Sequence, residues 1–206
     1  MTTSYEARNN SSFLMNNFPM VGEYGIAAIK KAEIQNLEET RLISYSNAKY
    51  NDLFASTSGV HFFVDDYKME SIAKNPDKTI DRLSQYRYVL TPDYSLYQEM
   101  PLGRQIDATL RSRWVGAYWQ SKGLQVIPTV SWGDSRTYSF TLDTIEKGSV
   151  VAISTLGVRS YKKDFLLGFN EMVHRIKPDK IICYGNPLEE IRNQVIYMPH
   201  YFEEVS

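Results

Sequence analysis

Short apolar runs rich in β-branched and aromatic residues recur along the chain, and each stops in small polar, acidic or aromatic residues. His61-Phe62-Phe63-Val64 runs into Asp65-Asp66, Tyr88-Val89-Leu90 into Thr91-Pro92-Asp93, and Val126-Ile127-Pro128-Thr129-Val130 into Ser131-Trp132-Gly133-Asp134. Val150-Val151-Ala152-Ile153 ends in Ser154-Thr155, Ile181-Ile182 in Cys183-Tyr184-Gly185, and Val195-Ile196-Tyr197 in Met198-Pro199-His200. Runs of this length and composition predict strands. Helical stretches lie between most of them, which is the grammar of a βα protein. In such folds the carboxyl ends of the strands gather on one rim, and ligands sit there.

The intervening segments predict the helices. Glu70 to Arg82 reads as helical with a break at Asn75-Pro76-Asp77, where Asp77 restarts it. Leu102 to Lys122 is the strongest helix and stops at Gly123. Leu102, Ile106, Leu110, Trp114 and Tyr118 recur every four residues and predict its apolar stripe. Asp164 to Ile176 predicts another helix, with Phe165, Gly168, Phe169, Met172 and Ile176 on the buried face, and Pro187 to Arg192 a short one. Gly25 to Ile29 and Leu42 to Tyr45 are further strand candidates, and residues 135 to 147 suggest a hairpin-like excursion or an extra strand. Pro128 removes an amide donor from its strand and so implies a bulge or an edge position there. Residues 1–17, polar and rich in Asn and Ser, read as a flexible N-terminal arm before a single α/β domain over 18–206. Six to eight strands in that length fit a compact TIM-barrel-like or incomplete βα barrel. An open, mainly parallel sheet is the alternative.

Composition narrows the function. At 206 residues the chain can bury roughly 70% of its unfolded surface and needs neither metal nor disulfide to fold. A formal charge of −1 offers no basic sleeve, which argues against a sequence-specific nucleic-acid target. Cys183 is the lone cysteine, so no intramolecular disulfide and no Cys-based zinc cluster can form. No basic segment precedes an apolar core at the N-terminus, and no apolar run reaches membrane-spanning length; a cytoplasmic protein with no membrane partner is expected.

The candidate chemistry lies at the strand ends. Asp65, Asp66, Asp93 and Asp134 all follow apolar runs. On one rim they could act as acid, base or ligands to a divalent metal ion, or serve only as turn formers and helix caps. Trp132 lies beyond its apolar run and, with Tyr184, could stack on a base or sugar ring. Arg104 and Arg111 share a helix face and suit phosphate, although Asp107 is spaced to pair with Arg111. Ser154 and Thr155 could offer hydroxyls and amides to an anion, and His200 closes the last run as a further rim candidate. No phosphate-binding loop or nucleophile elbow is present in the sequence.

Six segments together carry a family resemblance: residues 59–67, 90–97, 114–120, 126–132, 152–157 and 181–185. In this order they resemble a domain-of-unknown-function family (DUF4417-like) of phage, prophage and mobile-element proteins of Gram-positive bacteria. The likeness runs from about Phe18 to Tyr197. It implies a cytoplasmic accessory protein of a phage or mobile element and carries over no catalytic residue. Two functions are expected from the residues. One is binding or processing of a nucleotide-like small molecule on the rim, by hydrolysis or transfer if it is an enzyme. The other is a non-catalytic binder that sequesters a host defence signal or docks on a host protein through Tyr94, Tyr97 and Trp132.

Overall fold

The computed structural model describes residues 18–199, so the expected arm over 1–17 lies outside the described residues. Met20–Val21 (β1) and Ile26–Ala27 (β2) form a small antiparallel pair. Seven further strands follow: Arg41–Ser44 (β3), Ser58–His61 (β4), Tyr88–Leu90 (β5), Val126–Ile127 (β6), Val151–Ser154 (β7), Ile181–Tyr184 (β8) and Ile196–Met198 (β9). β3 to β6 pair in parallel, as do β7 to β9. A parallel bridge between Thr129 and Ala152 joins the two groups. Strand order therefore follows chain order, the arrangement that successive βα units produce.

Pro128 explains the shortness of β6. The ladder stops before it, and the chain then changes partner: the Thr129 amide donates to the Thr91 hydroxyl, while Ala152 N donates to Pro128 O and Val130 N to Ala152 O. The proline lies between two neighbours, at the irregularity that its missing donor requires.

Side chains on β7 and β8 alternate between two cores, as the pleat dictates. Ala152, Ile182 and Tyr184 join the large core that contains Val60, Phe62 and Leu90. Val151, Ile153, Ile181 and Cys183 instead meet Phe169, Met172 and Ile176 of the helix Lys162–Ile176. The sheet is curled. His61 of β4 and Tyr184 of β8 have ring centroids 4.3 Å apart, and Phe63 stacks on the same tyrosine at 4.9 Å. On a flat sheet four strand spacings would separate β4 from β8 by roughly 19 Å.

The helices are Glu70–Lys74 (α1), Asp77–Leu83 (α2), Leu102–Ser121 (α3), Tyr138–Thr141 (α4) and Lys162–Ile176 (α5). The break between α1 and α2 falls at Asn75-Pro76, and α3 ends before Gly123, which takes φ +90°. Residues 187–192 give a 3₁₀ turn, Glu189–Gln194.

Two expectations need correction. Residues 135–147 hold a 3₁₀ turn and the short α4, not a hairpin, because the Asp134 carboxylate accepts the Arg136 amide and starts a helical turn; the extra strand is reduced to one parallel bridge of Ile145 with Ile29. The buried face of α3 is also offset from the Leu102-to-Tyr118 stripe. Of that stripe only Trp114 is fully buried. Gln105, Ala108, Thr109, Ser112, Arg113 and Gly116 face inward instead. Small and polar side chains let α3 approach closely: a Cβ at Gly116 would collide with Thr91 and Ile29.

Candidate functional site

A cleft of about 430 Å³ opens where the strands end. Its walls come from the segments that follow β4 (Phe63, Asp65), β5 (Asp93, Ser95) and β6 (Ser131, Trp132), together with Ser154 at the end of β7. It adjoins a second hollow of about 380 Å³ that includes Tyr97, Glu99, Tyr161 and Asp164. Leu96, Trp132, Leu156, Val158 and Phe165 border both, so the two form one groove.

Asp93 is the central polar group. It lines the cleft and also a void of about 10 Å³ behind it, where Arg113 lies. The residue is half-buried, open to the cleft, while its carboxyl is packed among protein atoms. Burial pushes that carboxyl up to about 7 and the nearby charge of Asp66 adds to the rise; Arg113 and a hydrogen bond from Ser131 oppose it. Arg113 is fully buried and donates to Thr129 O at 2.8 Å, Thr141 O at 3.0 Å and Thr144 Oγ1 at 3.3 Å. Burial pulls the guanidinium down to about 10, with the Asp93 charge countering, so Arg113 remains a cation at neutral pH.

Trp132 forms the aromatic wall. Its ring lies 5.2 Å from that of Phe165 and packs against Gly168, where any Cβ would strike the indole. The indole is thus fixed on α5, yet half-exposed to the cleft.

The other candidates divide clearly. Asp65 lines the cleft and pairs with Lys68 at 3.6 Å. Asp66 accepts from the Ser95 amide and hydroxyl, both at 3.0 Å, and so ties the β4 and β5 loops together. Asp134 faces away from the cleft lining: it caps its turn and pairs with Arg136 at 2.7 Å, which lowers its pKa. Arg104 is exposed on the first turn of α3 near Asp107, outside the lining. Arg111 pairs with Glu70 at 2.9 Å and lies over the Tyr94 ring at 4.3 Å, so it braces that buried tyrosine from behind. Ser154 lines the cleft and accepts from the Leu156 amide. Thr155 is buried and donates to Asn186 O at 2.9 Å, which holds two loops together. Tyr184 lies beneath the cleft, stacked on Phe63 and tilted against His61. His200 lies outside the described residues. Cys183 is buried and its thiol is pushed up to about 11, too high for a nucleophile.

Among the described residues no group of three or more His, Cys, Asp or Glu side chains is placed to hold a metal ion. Asp65, Asp66 and Asp134 each have a separate donor: Lys68, Ser95 and Arg136. Phe165, expected on the buried face of its helix, lines the cleft, and Arg113, which lies on a different face of its helix from Arg104 and Arg111, lies just behind it. Asp93, 20 residues before Arg113, gave no local sign of that proximity.

With this geometry in hand, comparison with known proteins is informative. The sequence pattern of the family described as "Domain of unknown function (DUF4417)" matches residues 18–202. The chain belongs to this family. Two relatives are named Gene 1 protein. That of Mycobacterium phage L5 is 42% identical over 148 residues, covering 70% of this chain and 65% of the relative. That of Mycobacterium phage D29 is 38% identical over 162 residues, covering 74% and 60%. The chain thus spans less than two thirds of either relative's length. No solved structure matches it. Among the described residues of this DUF4417 chain, no helix is long and apolar enough to cross a membrane.

Proposed function

We propose that this phage-associated protein binds a nucleotide-like small molecule in the rim cleft, gripping it by its ring, and that Asp93 exchanges a proton with it. One observation carries the reading: a carboxyl that titrates near neutrality stands in the wall of an open cleft, beside a fixed and half-exposed indole. A group poised near the working pH is suited to general acid–base work, and perturbed carboxyls in clefts mark functional sites. Stacking of a ring on Trp132 is worth about 1–3 kcal/mol, enough to orient a small ligand. Asp93 then serves as acid or base in a hydrolytic or transfer reaction, with Ser131 hydrogen-bonded to it and the charge of Arg113 nearby. The host cytoplasm is the expected setting.

The test is native mass spectrometry of protein purified from its host. The expected result is a retained small molecule in the wild type that is lost in Trp132→Ala. A bare mass for the wild type would overturn the reading. A second reading draws on Tyr97, Leu156 and Tyr161, which border the groove at 54%, 46% and 63% exposure. Exposed apolar side chains in one region suit a host-protein contact. A bare mass together with a host protein held stoichiometrically would select that reading.

A further inference from the structure

The charges around the groove are one-sided. Asp65, Asp93, Glu99 and Asp164 line it, and no Lys, Arg or His does so among the described residues. Arg113 is sealed behind Asp93, Arg111 is held by Glu70, and Arg136 is held by Asp134, while Arg159, Lys162 and Lys163 lie on the bordering segment without lining the groove. Of the four carboxylates, Asp65 has a cation beside it, Lys68. The remaining wall is aromatic and aliphatic, with Trp132, Phe165, Tyr97 and Tyr161 presenting ring surface. Ring faces attract cations, and carboxylates attract them further, whereas a phosphate here would meet like charge and find no cation in the lining itself.

Resting on the reading that the cleft is a ring-binding site, we propose that its ligand is a cationic, phosphate-free aromatic heterocycle, such as an N-alkylated or protonated base or nucleoside. The ring lies on Trp132 and the positive charge faces Asp93 and the acids of the adjoining hollow. The nucleotide-like ligand is thereby narrowed to its base or nucleoside part.

The test uses ligands with one ring and three charges. 7-Methylguanosine, guanosine and guanosine 5′-monophosphate form one series; benzylamine, benzyl alcohol and benzoate form a second. Binding is measured by ligand-observed NMR and titration on wild type, Trp132→Ala and the double variant Glu99→Gln with Asp164→Asn. The expected result is a preference of roughly tenfold or more for the cation over the anion in each series. That preference falls below threefold in the double variant, and all binding is lost in Trp132→Ala. Binding that needs Trp132 but is equal for cation and anion, or favours the anion, would overturn the charge assignment and leave the ring site standing. Binding that Trp132→Ala leaves unchanged, or no binding by either series, would overturn both.

Discussion

At the scale of single residues, Asp93 and Arg113 feel each other's charge but have different duties. Arg113 neutralises backbone carbonyls and a hydroxyl around it, so it acts as a structural cation. Removing it in Arg113→Ala strands the Thr129 and Thr141 carbonyls in the interior. The expected loss is about 3–5 kcal/mol, read from urea unfolding. Asp93 behaves oppositely. Its folded pKa, about 7, lies above the ordinary carboxylate value of 3.8, so the folded protein holds the proton that the unfolded chain has released. Stability from this group is therefore complete below about pH 4 and is lost as pH rises to about 7. Asp93→Asn removes that slope. Melting temperatures compared at pH 5 and pH 8 should fall less in the variant than in the wild type; an equal fall would show that Asp93 ionises normally. The sequence offered Asp93 only as one of four equivalent strand-end carboxylates, and the role of Arg113 was not legible in it. Asp after a strand is an ordinary turn former, and Arg113 belongs to a helix whose apolar stripe points elsewhere.

At the scale of elements, the strands were legible because β-branched runs bounded by turn residues admit few other readings. The rim was legible with them: the cleft does lie at the carboxyl ends of β4 to β7. The buried face of α3 was not. Hydrophobic periodicity finds helices that bury large apolar side chains, whereas α3 buries Gln105, Thr109, Ser112 and Gly116 and gains its contacts by close approach. The same logic applies to α5, whose Gly168 leaves room for the Trp132 indole. Gly168→Ala would leave helix propensity intact or improved, by up to about 1 kcal/mol. Its Cβ would instead displace the indole, so the expected outcome is a net destabilisation of about 1–3 kcal/mol with ring binding abolished. A crystal structure or the Trp fluorescence maximum of the variant checks the displacement. An unmoved indole with intact binding would show that the wall tolerates a shift.

At the scale of the whole molecule, the succession of parallel strands and the contact of β4 with β8 together make a curled sheet. The sequence could offer both a barrel-like and an open form, because strand count and spacing are the same in each and only long-range contacts separate them. Tyr184 is the side chain that carries this contact, lying against both His61 and Phe63 under the cleft. Replacing it by Ala should cost about 3–5 kcal/mol, as for other buried aromatic truncations. The distribution of that loss is the informative part. In a curled sheet whose interior couples distant strands, hydrogen exchange should accelerate in β4 as well as in β8 and its partners β7 and β9. In a flat sheet β4 would keep its protection, since three strands separate it from the altered site. Because Phe63 and Asp65 of the cleft follow directly on β4, the curled arrangement further requires that the loosened variant lose ring binding without any change at Trp132 itself.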